Sequence, residues 1–209
     1  MSSYYRKDIF PIHLYQAHLR NNSKIKNAIL SNIQKCYEEK EMPIPNGWDT
    51  KSIYTTYDQD NLNLEIFPKE FIAEYYFPTL LKFFDRKVEF VINEIWFNYY
   101  IDGEYQEVHT HVAQNSLGGN SQYSCIHFIS YDDELHQPVK FVDPNESLRC
   151  LSFSMDSENY DSQYAPKIRE GDLIMFPSYL QHFVPPSDPT PNKPRITVSM
   201  NIEIIRYGN

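Results

Sequence analysis

Glu89-Phe90-Val91-Ile92-Asn93-Glu94-Ile95-Trp96-Phe97-Asn98-Tyr99-Tyr100 is the stretch whose reading decides the fold. Aromatic and β-branched residues crowd it, and apolar and polar positions interleave, as on a strand with a half-buried pleated surface. It ends at the turn Asp102-Gly103, and the chain resumes in Val108-His109-Thr110-His111. Side chains of an extended backbone alternate faces with period two, so His109 and His111 project the same way. Two such imidazoles form two teeth of a metal clamp, which needs at least one further ligand from elsewhere.

Downstream, the spacing predicts further short strands over 123–130, 139–142, 149–155, 173–176, 182–184 and 195–205. Ser116-Leu117-Gly118-Gly119-Asn120, Asp143-Pro144-Asn145, Glu170-Gly171-Asp172 and Pro185-Pro186-Ser187-Asp188-Pro189 separate them. Many short strands with Gly and Pro turns indicate a sandwich or jelly roll with helices packed outside. Upstream, Ile9 to Leu14 reads as an opening edge strand, where Pro11 is tolerated. A helix is expected over Ser23 to Glu41, with Ser23 as N-cap and Ile25, Ala28, Ile29, Ile33 and Cys36 as its apolar stripe. Trp48 to Asn61 is expected to be a loop. A second helix opens at Pro68 and runs through Phe71, Ile72 and Tyr75, past a kink at Pro78, to Leu80, Leu81 and Phe84. The expected organisation is one domain over 1–209, with 1–87 as helical support and 88–206 as the β core.

Composition narrows the function classes. Hydrophobic residues make up 41% of the chain, enough for a real core, and the 17 Tyr, 13 Phe and 2 Trp favour β structure. A formal net charge of −9 argues against nonspecific binding of a nucleic-acid backbone, which relies on Lys and Arg. Cys36, Cys125 and Cys150 are scattered, with no CxxC, which fits a reduced chain. Nothing near Met1 reads as a signal peptide, and no run approaches membrane-spanning length, so a cytoplasmic protein without a membrane partner is expected.

The third tooth of the clamp is sought in Phe176-Pro177-Ser178-Tyr179-Leu180-Gln181-His182. His182 ends a strand after the Gly171-Asp172 turn and the Pro177 bend, which can return the chain to the same mouth. Three neutral imidazoles suit iron, zinc, copper or nickel, and Glu107, at the same parity, could add an oxygen or orient an imidazole. Arg195, in Arg195-Ile196-Thr197-Val198-Ser199-Met200-Asn201, shares its strand face with Thr197, Ser199 and Asn201. An inward guanidinium needs an acid: either a structural partner or a ligand carboxylate gripped by its fork. Tyr99, Tyr105 and Tyr123 could add hydroxyls. His127 reads as structural, Cys125 and Cys150 as core; His13, His18 and His136 lack metal-ligand spacing. No residue is singled out as an acid, base or nucleophile.

At these residues, from Trp96 to His111, Phe141 to Pro144, Gly171 to His182 and Arg195 to Asn201, the chain resembles the 2-oxoglutarate/Fe(II)-dependent oxygenases. It resembles in particular the small prolyl-4-hydroxylase-like members common in tailed-phage and bacterial genomes. The likeness covers roughly residues 88 to 205. It implies a double-stranded β-helix holding Fe(II) on His109 and His182, with Arg195, assisted by Asn98, Tyr99, Tyr105 and Tyr123, on 2-oxoglutarate. It further implies O2-dependent decarboxylation of this small-molecule co-substrate to succinate, coupled to hydroxylation of a protein, peptide or small-molecule substrate. The departure is His111, which stands where most of the superfamily has Asp or Glu; with His111 as ligand, the site has one negative charge fewer. Two alternatives stay open. A cupin-type three-histidine dioxygenase is suggested by Gly103-x5-His109-x-His111 and Gly171-x5-Pro177…His182, though Asn115, Ser116 and Pro186 depart from cupin motifs. The other is a jelly-roll binding module without catalysis.

Overall fold

Two long strands with alternating faces, β3 (Val88–Tyr100) and β10 (Arg195–Tyr207), pair antiparallel along nearly their whole length. The computed structural model describes residues 11–46, 52–84, 88–112, 121–148, 161–190 and 192–207. Around that pair stand β1 (Tyr15–His18), β2 (Tyr54–Thr55), β5 (Tyr123–Ser130) and β8 (Asp172–Pro177). They complete a six-stranded sheet in the order β1-β8-β5-β10-β3-β2. A four-stranded sheet carries β4 (Gln106–His109), β6 (Lys140–Val142), β7 (Gln163–Tyr164) and β9 (His182–Val184), in the order β4-β9-β6-β7. All the pairings recorded in both sheets are antiparallel. The two sheets meet face to face through an apolar cluster that includes Tyr100, Phe128, Phe141, Ile174, Phe176 and Val184. This is the expected double-stranded β-helix.

The other face of the large sheet is covered by α1 (Asn22–Glu39), α2 (Asp60–Ile66), α3 (Lys69–Tyr75) and α4 (Phe77–Phe83). Ile25, Ile29, Ile33 and Cys36 recur at spacings of three and four, and all are buried against Phe97, Tyr99, Val198 and Met200 in the outer cluster. Each such side chain contributes roughly 1.5–3 kcal/mol relative to exposure. Gly171, at φ +87°, turns the chain into β8 where a Cβ would stand 3.1 Å from Asn22, so the α1 start rests on that turn.

Several local expectations shift. The opening strand lies at Tyr15–His18, set by pairing with β8 at the sheet edge; of the expected 9–14, residues 11–14 are not strand and 9–10 lie outside the described residues. Asn21, not Ser23, is the N-cap of α1. The expected second helix is two, α3 and α4, because Pro78 starts a new helix and does not kink an existing one. Part of the expected loop over 48–61 is ordered by tertiary contacts: β2 pairs with β3, and α2 begins at Asp60. The expected strand at 149–155, the turn at Ser116–Asn120, and Cys150 lie outside the described residues. Among the described residues, no helix is long and apolar enough to cross a membrane.

Candidate metal centre

Strand register brings the histidines together. His109 at the end of β4 and His182 at the start of β9 are direct antiparallel partners, so their side chains emerge side by side. His111 lies two residues beyond His109, and its backbone N–H donates to Ser178 O at 2.9 Å, which draws it back over the site. The three rings sit at centroid separations of 5.1, 4.2 and 5.0 Å. One ligand atom from each lies within 4.8 Å of the others.

Proton bookkeeping on the rings decides what they offer. His109 Nδ1 is 2.7 Å from Glu107 O, and His182 Nδ1 is 2.9 Å from Leu180 O. A carbonyl only accepts, so both Nδ1 atoms carry the proton and both Nε2 atoms present lone pairs. His111 Nδ1 lies 2.8 Å from Asn201 Oδ1, which gives the same tautomer. The Nε2 atoms of His109 and His111 are then 3.1 Å apart, lone pair facing lone pair. That arrangement repels unless a cation stands between them. Two imidazole nitrogens about 2.1 Å from one metal ion, at right angles to each other, would be about 3.0 Å apart.

Electrostatics point the same way. His111 is pushed down to about 4, mainly by burial and then by the neighbouring His109, against the supporting bond to Asn201. His182 is lowered well below the ordinary value by burial and by the two other imidazoles, and His109 is lowered by burial. All three are therefore neutral at pH 7, as metal ligands must be. Around them, Trp96 stacks on His111 at 5.6 Å and 23°, and Phe176 and Phe141 pack against His182. These rings fix the imidazoles and keep water from their sides.

Arg195 occupies the inner face of β10, as its parity with Thr197, Ser199 and Asn201 requires. It is 3% exposed, with its guanidinium carbon 4.3 Å from the Tyr100 ring centroid and 5.7 Å from that of Phe128. Its Nε and Nη1 have no hydrogen-bond partner, and no carboxylate among the described residues pairs with it. A fixed charge with idle, buried donors fits an anion that arrives from outside. Tyr100 and Phe128 at Arg195, and Phe141 and Phe176 at His182, belong to one apolar cluster between the sheets.

The remaining sequence candidates fare differently. Asn98 is on the inner face, but its amide is engaged: it accepts from Thr55 Oγ1 at 2.7 Å and donates to Ser199 Oγ at 3.2 Å. Tyr99 does not join the site. One residue out of step with Asn98, it faces the helices and stacks on Tyr37 of α1 at 4.2 Å. Tyr123 also packs on the helical side, against Tyr15 and Phe84. Tyr105 is 38% exposed, its backbone N–H bonded to Ser52 O. Glu107 reaches His109 through its backbone carbonyl, not its carboxylate. His127 is structural as expected, buried on the outer face and 3.0 Å from the Tyr76 hydroxyl. His136 is also engaged structurally, donating from Nε2 to Lys193 O at 2.8 Å. Trp96, Glu94 and Ser124 were not anticipated at the site; Glu94 and Trp96 share a period-two face with Asn98 and Tyr100, but no local pattern says that this face of β3 turns inward.

A family model described as "Putative 2OG-Fe(II) oxygenase" matches residues 94–201. No curated protein matches the chain. Among solved structures, a Pseudomonas putida prolyl-4-hydroxylase aligns over 92% of both chains at 13% identity, with a TM-score of 0.52. The non-heme alpha-ketoglutarate-dependent epimerase SnoN from nogalamycin biosynthesis aligns over 92% of this chain and 76% of its own, at 11% identity and a TM-score of 0.61. EctD from S. alaskensis with bound Fe aligns over 92% and 73%, at 13% identity and a TM-score of 0.54. At these identities the structural likeness is one of fold. The sequence match runs from the inner-face Glu94 of β3 to Asn201 of β10 and takes in all three histidines and Arg195; it spans more than half of the chain, which therefore belongs to the 2OG-Fe(II) oxygenase family, an oxidoreductase family that uses Fe(II) and 2-oxoglutarate.

Proposed function

We propose that the protein is a non-haem Fe(II)- and 2-oxoglutarate-dependent dioxygenase in which His109, His111 and His182 hold the metal and Arg195 grips the distal carboxylate of 2-oxoglutarate. The observation that carries this reading is the pairing of two complements whose flanking rings share one apolar cluster between the sheets. Three neutral imidazoles present lone pairs to one point, and a buried guanidinium lacks an acid partner. The residues 1–209 are read as one oxygenase domain, with the first 87 residues also contributing β1 and β2 to the large sheet.

Fe(II), when bound with 2-oxoglutarate and O2, supplies the oxidation: the co-substrate loses CO2 and becomes succinate, and one oxygen atom enters a substrate C–H bond. The chain's own residues set the conditions. Nδ1–H donation to Glu107 O, Leu180 O and Asn201 Oδ1 fixes each imidazole's tautomer and direction. The Arg195 fork sets the direction of the co-substrate, and the surrounding aromatic rings keep that ion pair dry, which strengthens it. Likeness in fold to a prolyl-4-hydroxylase supports a hydroxylase acting on a peptide or protein side chain, with a small-molecule substrate as the other option. The three-histidine donor set also supports a cupin-type dioxygenase, which would have no use for the unpaired Arg195.

The test is anaerobic reconstitution with Fe(II), followed by titration with 2-oxoglutarate. The expected result is the visible charge-transfer band of a 2-oxo acid on Fe(II). Bound metal without that band would remove the oxygenase reading, and turnover independent of 2-oxoglutarate would favour the cupin type.

A further inference from the structure

Behind His111 runs a chain of hydrogen bonds that ends on a carboxylate. Asn201 Oδ1 faces His111 Nδ1 at 2.8 Å and also accepts from Ser124 Oγ at 3.0 Å. On its other side, Asn201 Nδ2 donates to Glu94 Oε2. Glu94 and Asn201 are direct cross-strand partners of β3 and β10, and Ser124 is the partner of Asn201 on β5. The register therefore holds all three in line across the large sheet. Trp96, two residues along β3 from Glu94, stacks on the His111 ring and confines it to this plane.

The members of this chain differ in what they permit. A neutral imidazole has one donor and one acceptor nitrogen and can present either. The Asn201 amide can flip, and the Ser124 hydroxyl can donate or accept, here also facing Ser178 Oγ at 2.9 Å. Within this chain only the Glu94 carboxylate has a fixed role, since it can only accept. It obliges Asn201 to turn Nδ2 outward and Oδ1 inward. Oδ1 then obliges His111 to carry its proton on Nδ1, and Nε2 is left as a lone pair. His109 and His182 have their tautomers set by backbone carbonyls, which cannot flip; His111 has no such carbonyl.

We propose that Glu94 is a positioning residue. Through Asn201 it selects the His111 tautomer that can bind metal, and by polarising the Asn201 amide it makes His111 Nε2 a stronger donor to that metal. The second half of this inference rests on the metal reading above; the tautomer half does not.

The experiment uses metal-free, 15N-histidine-labelled full chain at pH 8 and reads the His111 tautomer from long-range 1H–15N correlations. Wild type is expected to show Nδ1–H on His111. Glu94→Asp, still acceptor-only, is expected to keep it. Glu94→Gln, which can donate or accept, is expected to give a mixture. Glu94→Lys, donor-only, is expected to invert the amide and place the proton on Nε2. Should Glu94→Lys not fold, Glu94→Gln alone decides, and a pure Nδ1–H signal in whichever variant decides would overturn the proposal. Co(II) titration of the same proteins is expected to show a tenfold or greater loss of affinity in the variants with altered tautomer, as for other groups that orient metal-bound histidines. Unchanged Co(II) affinity beside an altered tautomer would overturn the metal half. Absence of Co(II) binding in wild type would instead defeat the metal reading itself.

Discussion

Replacing Arg195 with Met should do two opposite things at once. Arg195 is buried, with two guanidinium nitrogens that have no partner. An unpaired buried donor costs about 1–3 kcal/mol, so the pair costs about 4 kcal/mol at mid-range. Stacking of the guanidinium on Tyr100 and its hydrogen bond with the Tyr100 hydroxyl together return about 3 kcal/mol. The ligand-free protein should therefore gain about 1 kcal/mol from an apolar side chain of similar length, a rise in Tm of about 2–4 °C for a chain of this size. Binding of 2-oxoglutarate should move the other way. Loss of one partner of a buried, hydrogen-bonded charge pair costs about 2–5 kcal/mol, so the Kd should rise by about thirtyfold at the least. In wild type with Fe(II) under anaerobic conditions, 2-oxoglutarate at a hundred times its Kd should stabilise by about 2.7 kcal/mol, and the variant should lose most of this increment. Thermal melts with and without 2-oxoglutarate, with metal content measured in parallel, give both signs in one series. A variant that melts lower without ligand, or that loses iron and 2-oxoglutarate in equal measure, would show Arg195 to be a structural residue and refute the reasoning.

Other outcomes follow from the same geometry. His182→Ala should abolish stoichiometric Fe(II) or Co(II) uptake, because it removes the direct strand partner of His109; uptake retained at one equivalent would exclude His182 as a ligand. Tyr99→Phe and Tyr123→Phe should leave the 2-oxoglutarate Kd unchanged within about twofold, since both rings pack on the helical side; a larger loss would contradict that placement. Metal-free protein should lose stability as pH falls. His111 binds its proton in the unfolded chain below the ordinary value of about 6.5 but in the folded chain only near about 4, so folding opposes protonation between the two. At pH 5 this amounts to about 2 kcal/mol for His111 alone. Urea titrations at pH 7 and pH 5 check the sign, and equal midpoints would contradict it.

Much of the site was legible because its parts obey short-range rules. Period two put His109 and His111 on one side, and it put Arg195, Thr197, Ser199 and Asn201 on one face of β10. The return of His182 could be inferred from the Gly171 turn and the Pro177 bend. What could not be read was which face of β3 looks inward. Asn98 and Tyr99 are adjacent, and only the packing of α1 against Tyr99 decides between them. The Glu94–Asn201 contact joins residues far apart in sequence through strand register, which no local pattern encodes. Tyr54 and Thr55, within the expected loop, looked structureless because their order comes from pairing with β3, not from their own periodicity. The substrate is unreadable for a related reason, since fold alone does not choose it.

The central claim, that three imidazoles meet on a single metal ion, is tested most directly by anaerobic Fe(II) titration of the whole protein followed by X-ray absorption at the iron edge. Saturation at one equivalent with three imidazole ligands is the expected result. Failure to bind iron, or a bound iron with fewer than three imidazoles, would contradict it.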